Sequence, residues 1–363
     1  MWLVAAVLGA LTVATGLLSP ADAGDVLDRT GPVLLFLVAI TVLAELADAA
    51  GVFDVAAHQA ARWARGRTLA LFGLVVLLAS ASTVLLSLDT TAVLVTPVVL
   101  ALAQQLGLAP LPFAVTTVWL ANTASLLLPV SNLTNLMALD RLDLSTGQYV
   151  QRLALPALVA VAVTVVALLV WHRRALTGRY ELPERTAVED RVLFAGTAGA
   201  CAVLVPALSV TSPAVASTVA ASIATLLFLW RRRSALHLGL LPWRLVLMVT
   251  GLFLVVAAAG PFELLRDGVG GPVQTAFTAA AGANAINNLP AYLAMEQVTP
   301  HARLLPVLLG VNLGPLVTPW ASLATLLWAE RCRARGLRIS WLKQGVAGLL
   351  LVGAILPATV LVL

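Results

Sequence analysis

The chain has 363 residues, of which 60% are hydrophobic and 11% charged. That composition excludes a soluble globule and indicates a polytopic helical membrane protein. The formal charge of +5 does not mark a nucleic-acid binder, because the basic residues lie in short loops between apolar spans.

In chain order, apolar spans long enough to cross a bilayer fall near 1–18, 30–49, 112–136, 150–172, 191–210, 212–230, 240–259, 302–330 and 341–363. Met1 to Leu18 has no charged leading region and reads as a retained first span. Residues 67–105 and 269–299 are apolar but interrupted midway. Loops with Arg62, Arg65 and Arg67, with His172 to Arg174, with Arg231 to Arg233 and with Arg331 to Arg335 mark the cytoplasmic side. The loop at 19–29, carrying Asp22, Asp25 and Asp28, lies opposite. These assignments agree only if 67–105 leaves and returns on one side, as a re-entrant hairpin or as two full spans. By the same count 269–299 starts and ends outside. The expected fold is therefore all-α: two inverted repeats, each with a helical hairpin and a broken transmembrane helix, about nine spans plus two hairpins.

The divisions are 1–29 for the first helix and an outer loop, 30–172 for repeat 1, 173–239 for a cytoplasmic linker with two connecting spans, and 240–363 for repeat 2. Repeat 1 holds the hairpin 67–105 and the broken helix 112–136; repeat 2 holds the hairpin 269–299 and the broken helix 302–330. This places the N-terminus in the cytoplasm and the C-terminus outside a plasma membrane. Val52 to Ala64 and Phe262 to Asp267 precede the hairpins as short interfacial helices.

The breaks are read from a doubled pattern. Asn122, Pro129 and Asn132 recur as Asn312, Pro319 and Ser322 at the same spacing. Proline lacks an N–H and clashes with the preceding turn, so a helix opens there. Inside a bilayer, opened backbone survives only when buried in protein or lining a wet cavity. Paired interruptions in two halves are the best sequence pointer to a transporter's binding site.

Between Arg67 and Asp140 the one ionisable residue is Asp89. A carboxylate at mid-membrane is costly and therefore functional by default; set before a new helix, it also suits an N-cap. Burial disfavours its charged form, which makes it a proton carrier. Asn288 is its expected counterpart in the second hairpin, beside Asn287. With Asn122, Ser131, Asn132, Asn135, Asn312 and Ser322, these amides and hydroxyls form a pocket for a small neutral polyol-like solute or a coordinated cation. Glu45, with Asp48 near the end of the second span, either faces headgroup water or relays protons. Trp119 and Trp320 flank the broken segments and shape the pocket.

No Gly-x-x-x-x-Gly-Lys-Ser/Thr run is present, so energy comes from an ion gradient or a separate subunit. The four histidines are scattered, and Cys201 and Cys332 make neither a disulfide framework nor a metal cluster. No catalytic residue, metal or cofactor is assigned. No Gly-x-x-x-Gly seam convincingly names a dimer face, so oligomeric state is left open.

At these residues the chain resembles the arsenite efflux permease (ArsB) family, within the ion-transporter superfamily that also holds NhaD-type antiporters and sodium/dicarboxylate carriers. The likeness is carried by Asp89 to Pro97, Asn122 to Leu126, Val130 to Asn135, Asn287 to Pro290 and Leu313 to Leu327. The resemblance implies two hairpins whose tips meet two unwound helices, and export of arsenite or antimonite against protons. Two departures stand out. The family's first hairpin tip reads Asn-Asp-Gly where this chain has Leu88-Asp89-Thr90, and the carriers' Ser-Asn-Thr signature is half present as Ser131-Asn132-Leu133. The expected function is proton-coupled export of the neutral metalloid hydroxide, with Asp89 as the coupling acid, Glu45 as a relay and the amide pocket as the substrate site. The alternatives are a sodium-coupled carrier of small organic anions, a sodium/proton antiporter, or a channel-like subunit driven by a partner ATPase.

Overall fold

Prolines and short polar side chains set the helix starts. The computed structural model describes residues 2–85, 87–181, 188–259 and 270–363. Its helices are α1 (Trp2–Ala14), α2 (Pro20–Ala49), α3 (Val52–Trp63), α4 (Thr68–Leu85), α5 (Leu88–Gln105), α6 (Pro110–Thr123), α7 (Leu133–Arg141) and α8 (Thr146–Leu176). They continue as α9 (Arg191–Val210), α10 (Pro213–Arg231), α11 (Trp243–Ala259), α12 (Pro272–Ile286), α13 (Asn288–Val298), α14 (Leu304–Leu313), α15 (Leu323–Ala334) and α16 (Trp341–Val360). Pro20, Pro110, Pro213 and Pro272 open their helices, where a missing N–H costs nothing. Ser145 and Gln148 form a reciprocal capping box at the start of α8. Among the described residues the one β-type pairing is a bridge between Arg67 and Arg179. The expected all-α fold is met.

Among the described residues six stretches are long and apolar enough to cross a membrane: Thr30–Ala49 within α2, and α4, α5, α8, α10 and α16. The chain is thus a multi-pass membrane protein. The two hairpins differ in reach. At 18 residues each, α4 and α5 extend about 27 Å, close to a hydrocarbon core of about 30 Å. The 15 residues of α12 and 11 of α13 are too short to cross.

Two readings of loops are corrected. Residues 20–29 are helical, not an outer loop: Ser19 caps α2 by accepting the Asp22 N–H at 3.1 Å, and Asp22 suits the positive end of the helix dipole. Arg331 to Ala334 are the last turn of α15, where cations favour the helix C-terminus, and Arg331 and Cys332 are buried in it. Gly336, at φ 73°, supplies the left-handed residue just beyond. The amphipathic piece before the first hairpin is α3; its expected partner at Phe262 to Asp267 lies outside the described residues.

The helices gather into two compact units, each drawn from two separate stretches of sequence. One holds α1, α2, α9, α10 and α11. There α1 and α11 cross at Gly9 and Gly251, where a Cβ on Gly251 would come within 2.2 Å of the Ala5 carbonyl oxygen. Asp190 caps α9 and pairs with Arg231 of α10 at 3.0 Å.

The other unit holds α4 to α8 and α12 to α16. Its centre is α6 and α14, whose side chains are buried almost all round. Here α5 packs on α15 while α13 packs on α7; α6 meets α14, and α8 meets α16. Such reciprocal exchange is the signature of an approximate two-fold axis between the repeats. The Gly310-x-x-x-Gly314 stretch is used inside this unit. It lets α14 approach Ala276, Ala279 and Ala280 of α12, so close that a Cβ on Gly310 would lie 2.2 Å from the Ala276 carbonyl oxygen.

Candidate functional site

Both breaks fall on one register. Residues 124–132 separate α6 from α7, and residues 314–322 separate α14 from α15, with Pro129 and Pro319 inside the gaps rather than at their edges. The restart of each second half is set by a polar cap. Asn132 accepts the Thr134 N–H at 3.3 Å, and Ser322 accepts the Thr325 N–H at 3.2 Å. Leu128 is extended, at φ −117° and ψ 146°, as a residue before proline prefers.

Opening a helix frees backbone groups that need partners. In the first break, Asn135 Nδ2 donates to the carbonyls of Ser125 (2.6 Å) and Leu128 (2.9 Å), and the Tyr149 hydroxyl donates to Leu126 O (3.1 Å). In the second, the partner comes from α12. Asn284 Nδ2 donates to Gly314 O at 2.7 Å, while its Oδ1 accepts from the N–H groups of Val317 (3.3 Å) and Thr318 (3.0 Å). The Asn284 carbonyl also accepts from Thr318 Oγ1 and Trp320 Nε1, both at 2.8 Å. Asn284 and Thr318 lie outside the predicted set of site residues. The available signal for Asn284 was its place one helical turn before Asn287 in an otherwise apolar run.

The hairpin tips meet the breaks. Asn287 Nδ2 donates to Trp320 O and the Asn288 N–H to Ala321 O, each at 2.8 Å. On the other side, Ser131 Oγ donates to Val84 O at 2.8 Å, tying the first break to the end of α4. The N-terminus of α7 therefore lies by the first tip and that of α15 by the second, each helix presenting a partially positive end there. Asn287 caps α13 at φ 103° and ψ 151°, a conformation almost confined to glycine that costs about 1–3 kcal/mol elsewhere.

Between the repeats runs a buried amide network. Asn312 Oδ1 accepts from Asn132 Nδ2 (3.1 Å) and Thr134 Oγ1 (2.6 Å), while Asn312 Nδ2 donates to Asn135 Oδ1 (2.5 Å). All four residues are buried, and none of them is charged. Of the predicted residues, the structure thus joins Asn132, Asn135 and Asn312 directly, sets Ser131 and Ser322 on the two breaks, and brings Asn287 and Asn288 of the second hairpin tip against the second break.

The remaining predicted residues stand differently. Asn122 spends its Nδ2 on Val118 O, one turn back in α6, and among the described residues its buried Oδ1 has no hydrogen-bond partner. The buried Trp119 Nε1, one turn earlier, has none either. Asp89 is not the cap of α5: Ser87 is, accepting the Thr90 N–H at 3.1 Å, because the helix starts at Leu88, so the backbone of Ser87 stands just outside it while Asp89 is already in its first turn. On this register Ser87 matches Asn287, so the expected pairing of Asp89 with Asn288 is corrected. Asp89 sits in the first turn, with a buried Oδ1 that no hydrogen bond among the described residues satisfies. Unsatisfied buried polar atoms cost about 1–3 kcal/mol each and call for an explanation such as ligand binding. Glu45 is half-buried on α2, within the other unit. Among the described residues no three His, Cys, Asp or Glu side chains gather as a metal site, and both cysteines are free.

Residues 1–325 match the family model described as citrate transporter (CitMHS). The Arsenical pump membrane protein of Escherichia coli (strain K12) is 29% identical, over 93% of this chain and 87% of that protein. That of Yersinia enterocolitica is 27% identical over the same shares. An uncharacterized transporter of Mycobacterium tuberculosis is 28% identical over 69% of this chain and 60% of its own length. The likeness to arsenite permeases read from the sequence is met by these relatives.

Proposed function

The chain belongs to the citrate transporter (CitMHS) family, and from its likeness to the arsenical pump membrane proteins we propose that it exports arsenite or antimonite, as the neutral hydroxide, in exchange for protons. The observation that carries this reading is the chemistry of the inter-repeat network: amides and a hydroxyl, with no basic side chain among Asn132, Thr134, Asn135 and Asn312. A trivalent metalloid hydroxide is uncharged and offers three O–H groups that donate and accept. Asn122 Oδ1 supplies an acceptor of the kind such a solute pairs with. A multiply charged carboxylate would instead call for arginine or lysine.

Asp89 is the coupling acid. It is the sole ionisable residue between Arg67 and Asp140, and no partner among the described residues holds its buried oxygen in one protonation state. Glu45 serves as a relay in this scheme. One proton returning across about 100 mV releases about 2.3 kcal/mol, enough to hold a neutral solute at a roughly 40-fold gradient. The protein sits in the cytoplasmic membrane with its N-terminus inside and its C-terminus outside, and the gradient replaces any need for a partner ATPase.

The test is arsenite uptake into inverted vesicles reconstituted with this protein alone under an imposed pH gradient. Uptake should follow the gradient, ignore excess citrate and vanish in Asp89→Asn. Gradient-independent uptake, or full activity of Asp89→Asn, removes the coupling proposal. Sodium-dependent thermal stabilisation of the purified protein would instead favour a sodium carrier.

A further inference from the structure

The second unit carries a groove of about 1080 Å³ between α8 and α16, floored by Trp119. Its walls run from Ala162 to Trp171 on α8 and from Leu342 to Ala354 on α16. We propose that this groove binds one anionic phospholipid, with the phosphate at the Lys343 end and an acyl chain lying toward Ala354.

The groove is polarised along its length. Trp119 stands 5.5 Å from Trp171 between ring centroids and shares a small cavity with Trp341 and Gln344. The C-terminal end of α8 and the N-terminal end of α16 therefore meet at one mouth. Lys343 lines that mouth, and Arg174 continues the α8 stripe of Val163, Val166, Ala167, Val170 and Trp171 at helical spacing. Both cations are exposed, and neither is in an ion pair among the described residues. Trp171, 44% exposed, sits beside them where an interfacial aromatic belongs. Beyond this mouth the lining is apolar, and no charged residue lines the Ala354 end.

The dimensions fit one leaflet. From Leu342 to Ala354 the helix rises about 18 Å, against about 15 Å for half of a hydrocarbon core. Two unpaired cations at a groove mouth, with no acidic lining residue, favour a phosphate of net negative charge over a zwitterionic headgroup. A second copy of the chain fits less well, because a two-fold contact here would set Lys343 and Arg174 against their own symmetry mates.

The full chain, reconstituted in vesicles, tests this by tryptophan quenching with acyl-brominated phosphatidylglycerol or phosphatidylcholine at equal mole fraction. The Trp171 contribution is isolated as the difference from Trp171→Phe. Phosphatidylglycerol should quench it at least about twofold more strongly, Lys343→Gln with Arg174→Gln should abolish the preference, and Lys343→Arg should keep it. Raising salt from about 0.05 M to about 0.5 M should weaken the preference in the unaltered chain. Equal quenching by the two lipids, a preference that survives the double substitution, or one indifferent to salt overturns the site. So does efficient copy-to-copy disulfide formation through Leu350→Cys in the same vesicles, which would assign the groove to a dimer.

Discussion

Replacing Asn312 by alanine removes both halves of an amide that three buried groups depend on. Asn132 Nδ2, Thr134 Oγ1 and Asn135 Oδ1 each lose a partner at 3.1 Å or less. At about 1 kcal/mol for each stranded group, Asn312→Ala should cost about 3 kcal/mol. Asn135→Ala strands Asn312 Nδ2 and the carbonyls of Ser125 and Leu128, again about 3 kcal/mol. The bond between the two amides is counted in both losses, so the double variant should be less destabilised than the sum by about 1–2 kcal/mol. The assay is denaturant unfolding in detergent followed by tryptophan fluorescence, on the wild type, both single variants and the double. Losses that add to within about 0.5 kcal/mol would falsify a shared network across the repeats.

Three further outcomes are expected. Asn287→Gly should be more stable than Asn287→Ala by about 1 kcal/mol, since φ 103° is free for glycine and strained for alanine while both lose the cap; equal denaturation midpoints would refute the strain. Gly310→Ala should cost at least about 1–3 kcal/mol by driving a methyl against the Ala276 carbonyl, and neutral behaviour in the same assay would contradict the close approach of α14 to α12. The Asp190 carboxylate is held below its ordinary range, chiefly by the Leu193 N–H and further by Arg231. Its stabilising contribution is therefore complete above the ordinary carboxylate pKa and is lost as pH falls through the lowered one. Asp190→Asn, which keeps the cap, should flatten that acid limb; an unchanged pH profile of unfolding would show that the carboxylate contributes nothing.

Much of the site was legible because polar residues in an apolar chain are informative in themselves. The spacing of Asn122, Pro129 and Asn132 and its echo at Asn312, Pro319 and Ser322 located both breaks, since proline and a capping side chain act within a few residues of themselves. The caps were less legible. Ser87 and Asp89 are both competent caps two residues apart, and only the backbone direction at the turn selects between them. Asn284 escaped because its partners, Gly314, Val317 and Thr318, lie some thirty residues away and become neighbours only when α12 packs on α14.

By itself the sequence determined that the chain is helical and membrane-embedded, where its helices break and which polar residues stand at the breaks, because each of these follows from local chemistry in a solvent that cannot satisfy open backbone. Tertiary structure decided the rest. It set α2 as one helix from Pro20, divided the chain into two units of interleaved segments, and exchanged α5 and α13 between the partners α15 and α7. It also joined Asn312 to Asn132 and Asn135, 180 and 177 residues away, in one network. Those outcomes depend on which surfaces meet, and pairings of residues far apart in sequence leave no periodicity to read.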